Sequence, residues 1–350
     1  MNRTAVVIPH YGGWSQLHGC LLSLERSTER DFDVVLVDNG SKDGSVAAAK
    51  RTFPMVRVVR SETNLGFAGG CNLGIRSSTH PYAVLLNDDT EVHPGWFGPL
   101  IRRMESDASI AAVQPKLLSL QDPGRFDYGG AAGGEMDVFG YPFARGRLFE
   151  TTEFDIGQYD EPADVFWATG AAVLFRRSAL DWVGLLDETF FAHMEEIDLD
   201  FRLHWAGYRI VSEPKSVVYH RTGGTLGQAS YRKMVLNHRN SLLTLAKNHT
   251  PSALSWLLPM RVMLEALTFG AALLTGDWKR AAAVPAGLAG ALGCWRTVVT
   301  GRKHVASIRI RSEADILRKM YRGSAALAYY AFGIRTTEEL MRGMGHSARE

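Results

Sequence analysis

Tyr82-Ala83-Val84-Leu85-Leu86-Asn87-Asp88-Asp89 is the stretch on which the fold turns. Five apolar residues closed by an Asn and two carboxylates read as a buried strand that runs into a polar turn. Adjacent carboxylates at the end of a rigid strand can hold a divalent cation against phosphate, and hard oxygen ligands on a short turn suit Mg2+ or Mn2+. An ion in that position would bridge phosphate oxygens and neutralise the charge growing on a departing diphosphate. Taken alone, an Asp pair after a strand fits a solvated loop or a helix cap as well.

Upstream, the same pattern recurs. Val6-Val7-Ile8-Pro9-His10-Tyr11 reads as a strand stopped by proline, and Val34-Val35-Leu36-Val37-Asp38-Asn39-Gly40-Ser41 as a second strand entering a polar turn. Leu17 to Leu24 and the stretch around Ser45-Val46-Ala47-Ala48-Ala49 have helical character, and Val56-Arg57-Val58-Val59 supplies a further strand. Strands alternating with helices predict an α/β fold with a mainly parallel sheet, whose ligands bind beyond the carboxyl ends of the strands. Asp38, Asp88 and Asp89 all fall at such ends. The glycine-rich run from Asn64 through Gly66 and Asn72 to Gly74 lacks the G-x-G-x-x-G spacing of a dinucleotide site and does not lie in the first strand-to-helix turn. It reads either as a flexible loop leading into a helix or as a helix start whose small residues let the backbone approach a nucleotide.

Further along, Glu195-Glu196-Ile197-Asp198-Leu199-Asp200 opens a helical pattern that runs on to Trp205. Acidic residues suit a first helical turn, but four carboxylates exceed what capping needs. A carboxylate crowded by like charge and by the neighbouring Phe190 and Phe191 acquires a raised pKa, as a general base requires. His220 closes the strand Ser216-Val217-Val218-Tyr219 and is either a polar terminus or a metal ligand. Trp167, in the run Trp167-Ala168-Thr169-Gly170-Ala171, is either core or part of a binding floor. The stretch from Gln121 to Asp160 has little periodicity and many glycines, and reads as loops or a mobile flap.

Seven segments, VVIPHY, VDNGSKDGS, NLGFAGGCNLGI, LLNDDT, FWATGAAVLFRR, FFAHMEEIDLDFRLHWAGYRI and VVYHRTGG, resemble the ordered motifs of the family-2 inverting glycosyltransferases. The likeness covers about residues 1 to 225 and lies nearest the bacterial rhamnosyltransferase and galactofuranosyltransferase branch. It implies a GT-A fold within residues 1–227, with a nucleotide-sugar half to about 118 and an acceptor half over about 119–227. By the same resemblance, Asp38 and the Pro9–Tyr11 turn hold base and ribose, and Asn39, Asn64, Gly66, Asn72 and Asp88 line the donor site. Asp89 and His220 become the metal ligands, Glu196 the catalytic base with Glu195 beside it, and Trp167, Thr169 and Gly170 the floor beneath donor and acceptor. Asp198 is expected to secure the helix start. Many relatives carry proline where this chain has Asp88, which leaves open whether Asp88 meets ribose, sugar or metal.

Composition fits a globular enzyme, with 46% apolar and 22% charged residues. Cys20, Cys71 and Cys294 lie far apart with no metal or redox spacing. A core strand follows almost directly on Met1, so no signal peptide is expected. From Tyr231 onward there are 18 Lys and Arg against 7 Asp and Glu, whereas the preceding residues carry 21 against 30. This basic region, 228–350, is apolar in blocks that charges and prolines interrupt, so no spanning helix is expected. Helices in the membrane interface, with Trp256, Trp278 and Trp295 at headgroup level, fit it, as does a soluble helical subdomain or homo-oligomer interface. No nucleic-acid module is present. The reading is a metal-dependent inverting glycosyltransferase at the cytoplasmic membrane face. Its partners are a dTDP- or UDP-sugar, L-rhamnose from dTDP-rhamnose by preference, and a glycan or polyprenyl-linked acceptor. UDP-galactofuranose or UDP-hexosamine transfer is the alternative donor chemistry, and a non-catalytic sugar-nucleotide-binding or scaffolding protein the alternative class.

Overall fold

The computed structural model describes residues 2–221 and 230–342. The expected boundary at 227/228, and the Thr222-Gly223-Gly224 end of the last motif, lie outside the described residues. Strands β1 (Thr4–His10), β2 (Phe32–Asn39), β3 (Val56–Ser61) and β4 (Tyr82–Leu86) alternate with helices α1 (Trp14–Glu25), α2 (Ser45–Thr52) and α3 (Gly66–Arg76). There follow β5 (Thr90–Val92), α4 (Phe97–Ser106) and β6 (Ile110–Ser119). Four short strands, β7 (Gly134–Met136), β8 (Pro142–Ala144), β9 (Arg147–Leu148) and β10 (Thr151–Thr152), form a separate antiparallel sheet. After β11 (Ala163–Asp164) the chain builds β12 (Ala172–Arg176), α5 (Arg177–Val183), α6 (Glu195–Trp205) and β13 (Arg209–His220).

The main sheet has the order β3-β2-β1-β4-β12-β6-β13-β11, with β5 on β13. Its first four strands run parallel, β12 is antiparallel to both neighbours, and β6 and β13 run parallel again. Alternation explains why both faces are covered. In β1, Val6 and Ile8 pack on one side with Leu17, Leu21 and Trp96, while Ala5 and Val7 pack on the other with Cys71, Ile75 and Leu199. Each fully buried side chain of this size contributes about 1.5–3 kcal/mol. α3 lies close enough to the sheet that a Cβ at Gly74 would sit 2.2 Å from Val7, so the glycine sets the approach of helix to strand.

Two expectations are corrected. The segment 121–160 is not loops alone: among its turns it carries the small sheet, with Phe126, Met136, Phe143 and Leu148 buried. Its strands are two or three residues long, too short for a period-two pattern to be read. The C-terminal region is helical, from α7 (Tyr231–Asn248), α8 (Pro251–Thr275), α9 (Trp278–Gly293) and α10 (Trp295–Ile308) to α11 (Glu313–Lys319), α12 (Ala325–Tyr330) and α13 (Thr337–Arg342). α8, 25 residues long with Pro259 inside it, is long and apolar enough to cross a membrane by length and composition. The charges that argued against a span pair with each other, Arg261 Nη2 to Glu265 Oε1 at 2.6 Å, and face the protein body.

Candidate active site

The site lies at the carboxyl ends of β1, β2 and β4. Asp38, at the end of β2, accepts from the Ser41 amide (2.8 Å) and from Arg60 Nε (2.8 Å). Burial acts against its charge, but those bonds prevail and hold the carboxyl below its ordinary range. Asn39 accepts from the Leu65 amide (2.9 Å) and donates to the Gly66 carbonyl (2.9 Å), while Asn64 accepts from the Gly66 amide (2.8 Å). These side chains shape the turn that starts α3. Gly66 has φ +74°, and a Cβ there would lie 2.5 Å from the Phe191 carbonyl. Phe67 donates its amide to that same carbonyl at 2.7 Å, joining the donor half to the segment ahead of α6. Pro9 ends in the same cleft wall, its Cβ 3.2 Å from where a Gly70 side chain would start, and Tyr11 stands 53% exposed beyond β1. Asn72 is fully buried, bonded through both ends of its amide to Leu186 and Glu188, and ties α3 to the segment after α5.

Asp88 turns back into the protein. Its Oδ2 lies 2.5 Å from His10 Nδ1, and His10 Nε2 lies 2.7 Å from Ser45 Oγ. Burial pushes the Asp88 carboxyl up, against the pull of His10. Asp89 and His220 meet because β5 pairs antiparallel with β13, setting Thr90 opposite His220. Asp89 Oδ1 lies 3.2 Å from His220 Nε2, yet has no aligned hydrogen-bond partner. On the far side of the ring, Nδ1 meets Asp127 Oδ1 at 2.7 Å. Burial opposes the imidazolium, but Asp127 and Asp89 outweigh it and raise His220 to about 10. Asp127 escaped the sequence reading because it sits in the segment without periodicity. Gly129 is the one signal beside it: its amide bonds Asp127 Oδ1 at 2.6 Å, and a Cβ there would come within 3.1 Å of the His220 ring.

The acid cluster is built onto the same rim. Asn87 donates its amide to the Ala171 carbonyl at 2.9 Å, and β12 begins at once with Ala172 opposite Leu86. Next to Ala171, the backbone of Gly170 acts to lower the Glu196 carboxyl. Adjacent residues thus serve the acid turn and Glu196. Glu195 is 3% exposed, and Glu196 is half-buried. Burial raises both carboxyls, Glu196 to about 7, and Glu195 is raised also by its neighbour's charge. Asp200 accepts from the Ala168 amide at 2.7 Å, which pins α6 to the floor. Asp198 is gripped by Lys247 and Asn248 of α7. Thr169, buried, accepts from the Ala171 amide and donates its own amide to Gln114. Trp167 is core: its indole donates to the Glu135 carbonyl at 2.8 Å and packs over Gly134, where a Cβ would lie 2.0 Å from the ring. Among the described residues no three His, Cys, Asp or Glu side chains form a ready metal cage.

Parallel sheet, acid turn and carboxylate-bearing helix together define a glycosyltransferase of the GT-A architecture. The chain belongs to glycosyl transferase family 2, whose model matches residues 5–182, just over half its length. It is 29% identical over 278 residues to the N-acetylglucosaminyl-diphospho-decaprenol L-rhamnosyltransferase of Mycobacterium tuberculosis, covering 74% of this chain and 88% of that one. Its fold is similar to mannosyltransferase PcManGT from Pyrobaculum calidifontis, solved with GDP-Man and Mn2+, at TM-score 0.51 and 18% identity over 87% of this chain and 85% of that one. GalNAc-T7, solved with UDP, GalNAc and Mn2+, is similar at TM-score 0.55 and 19% identity, over 71% of this chain and 48% of that one.

Proposed function

We propose that this glycosyltransferase moves one sugar, with inversion, from a nucleotide diphosphate donor to a polyprenyl-linked glycan, and that L-rhamnose from dTDP-rhamnose is the donor. The observation that carries the reading is the meeting of Asp89 and His220 at the end of the acid turn, Oδ1 3.2 Å from Nε2, on a rim that the Asn87 amide ties to the Ala171 carbonyl. The donor choice rests on the decaprenol rhamnosyltransferase relative.

Asp89 Oδ1, buried and lacking an aligned partner, and His220 Nε2 would fit a site for Mg2+ or Mn2+ once the ion displaces the Nε2 proton that the two carboxylates hold there in its absence. Bound there, the ion would supply charge neutralisation on the leaving diphosphate. Asp127 holds the imidazole so that Nε2 faces Asp89. Asp38, Asn39 and the Gly66 turn seat base and ribose. Glu196 takes the proton from the acceptor hydroxyl on the face away from the diphosphate, and its raised pKa matches that task.

A lipid-linked acceptor would be met at the cytoplasmic membrane surface. On α8, Trp256, Met263, Leu267 and Leu274 are exposed, and so are Trp278 and Trp295, the first residues of α9 and α10. Thermal-shift titration with dTDP-rhamnose, UDP-galactofuranose and UDP-hexosamines, each with and without Mn2+, tests the donor reading. The largest shift is expected for dTDP-rhamnose with Mn2+, and a larger one for a UDP-sugar would reassign the donor.

A further inference from the structure

The segment that delivers Glu195 and Glu196 into the cleft has an unfavourable backbone. Phe191, His193 and Met194 have φ of 63°, 69° and 72°, the left-handed region that residues with a Cβ rarely occupy. Something outside the segment must hold it, and the contacts identify α7. Asn240 is fully buried, and its Nδ2 lies within hydrogen-bond distance of three carbonyls of this segment, Phe190 (3.1 Å), Ala192 (2.9 Å) and His193 (2.7 Å). Arg239 Nη2 donates to the carbonyls of Thr189 (2.9 Å) and Phe190 (3.1 Å), and Arg239 Nε donates to Asn240 Oδ1 at 2.8 Å. One turn of irregular backbone thus points its carbonyls at a single side-chain amide.

The same helix grips the far side of the acid pair. Lys247 Nζ bridges Asp187 (2.5 Å) and Asp198 (3.0 Å), and Asn248 Nδ2 donates to Asp198 Oδ1 at 2.9 Å. Contacts from α7 therefore bracket Glu195 and Glu196 in sequence. α9 packs on the outer side of α7 so closely that a Cβ at Gly287 would lie 2.5 Å from His238. α7 lies beyond residues 5–182, which the family model matches.

We propose that Asn240 is a positioning residue for the catalytic base: its amide fixes the left-handed turn at 190–194 and so sets where the Glu196 carboxylate meets the acceptor hydroxyl. The proposal rests on Glu196 being the base. Removing the amide leaves the carbonyls without their shared donor and lets the turn relax toward ordinary backbone. The donor site meets this segment at the Phe191 carbonyl, which takes the Phe67 amide and is not bonded by Asn240, so the donor contacts on β1, β2 and β4 do not depend directly on the amide that is removed.

The test is a double-mutant cycle on Asn240→Ala and Glu196→Gln, with dTDP-rhamnose as donor and a polyprenyl-diphospho-GlcNAc acceptor. Asn240→Ala should lower kcat by about 10- to 100-fold, as misplacement of a reacting group does, while dTDP affinity stays near wild type. The rising limb of its kcat/KM profile should move to lower pH as the Glu196 carboxyl gains solvent. In the Glu196→Gln background the same change should cost little more, because the two act as one unit. Losses that multiply, or an unmoved pH limb, would overturn the positioning role and leave the base reading standing. Full activity of Glu196→Gln alone would overturn the base reading, and with it the proposal. Should Asn240→Ala not fold, Asn240→Ser, whose hydroxyl still donates one hydrogen bond, goes through the same cycle with the same deciding outcomes.

Discussion

In the proposed mechanism two side chains, Glu196 and His220, carry most of the chemistry, and both owe their state to their surroundings. Glu196 is raised by burial, so it loses its proton only as pH climbs through about 7, and the ionised form is the one that accepts a proton. The kcat/KM profile should accordingly rise through that region and level off above it. Glu196→Gln keeps the shape but cannot take the proton, so turnover should fall by on the order of 10²-fold or more with dTDP binding little changed. A larger loss at Glu195→Gln would move the role to the neighbour. His220 depends on Asp127, which faces the ring nitrogen remote from Asp89. Asp127→Ala should weaken Mn2+-dependent dTDP binding by about 10-fold or more, as loss of a ligand's orienting partner does, and calorimetric titration would register it. Unchanged binding would leave Asp127 without a part in the site. The positions of Glu196, Asp89 and His220 near the ends of elements could be read from sequence because those elements have strong patterns, and their roles belong to the proposal. Asp127 could not be placed, because its neighbours Arg125 and Phe126 make only isolated bridges, to Phe154 and Leu118. Asp88 was legible only as a member of the acid turn, since nothing local reveals that His10, on another strand, takes its carboxylate.

At the scale of elements, strands β1 to β4 and helices α1 and α2 could be placed from their patterns, whereas the glycine-rich run that becomes α3 left a loop and a helix start both open; β4 coincides with the run from Tyr82 to Leu86. The small sheet and the inward charges of α8 could not, because both are decided by long-range partners. Arg261 illustrates the point. Its guanidinium reaches the Phe139 carbonyl (2.8 Å), lies over the Tyr141 ring (3.9 Å from the centroid) and pairs with Glu265, which also meets His238 at 2.7 Å. An i,i+4 pair on an apolar helix looks in sequence like an interruption, whereas here it is the seam between α8, α7 and the β7–β8 turn. Arg261→Ala leaves Glu265 buried with only His238 of the two partners beside it and should destabilise the fold by about 3–5 kcal/mol. Replacing both residues with apolar side chains of similar volume should cost much less, which paired denaturation curves would show. Equal losses would mean that packing, and not the uncompensated charge, dominates.

Across the whole molecule, the basic and apolar C-terminal region is joined to the catalytic body through α7 and exposes apolar residues on α8 and at the starts of α9 and α10. Partition onto anionic vesicles should be salt-sensitive, because attraction to surface charge is about 1 kcal/mol per basic residue and is screened within a Debye length. Protein remaining wholly in the supernatant at low salt would remove the membrane from the account. The central claim is sugar transfer that depends on Asp89. Its most direct measurement follows product formation from dTDP-rhamnose and a polyprenyl-diphospho-GlcNAc acceptor by wild type and Asp89→Ala, each with Mn2+ and with chelator, the anomeric configuration being read by NMR. The account predicts an inverted glycoside from wild type with Mn2+ only and none from Asp89→Ala. Undiminished transfer by Asp89→Ala in chelator, or a product of retained configuration, would contradict it.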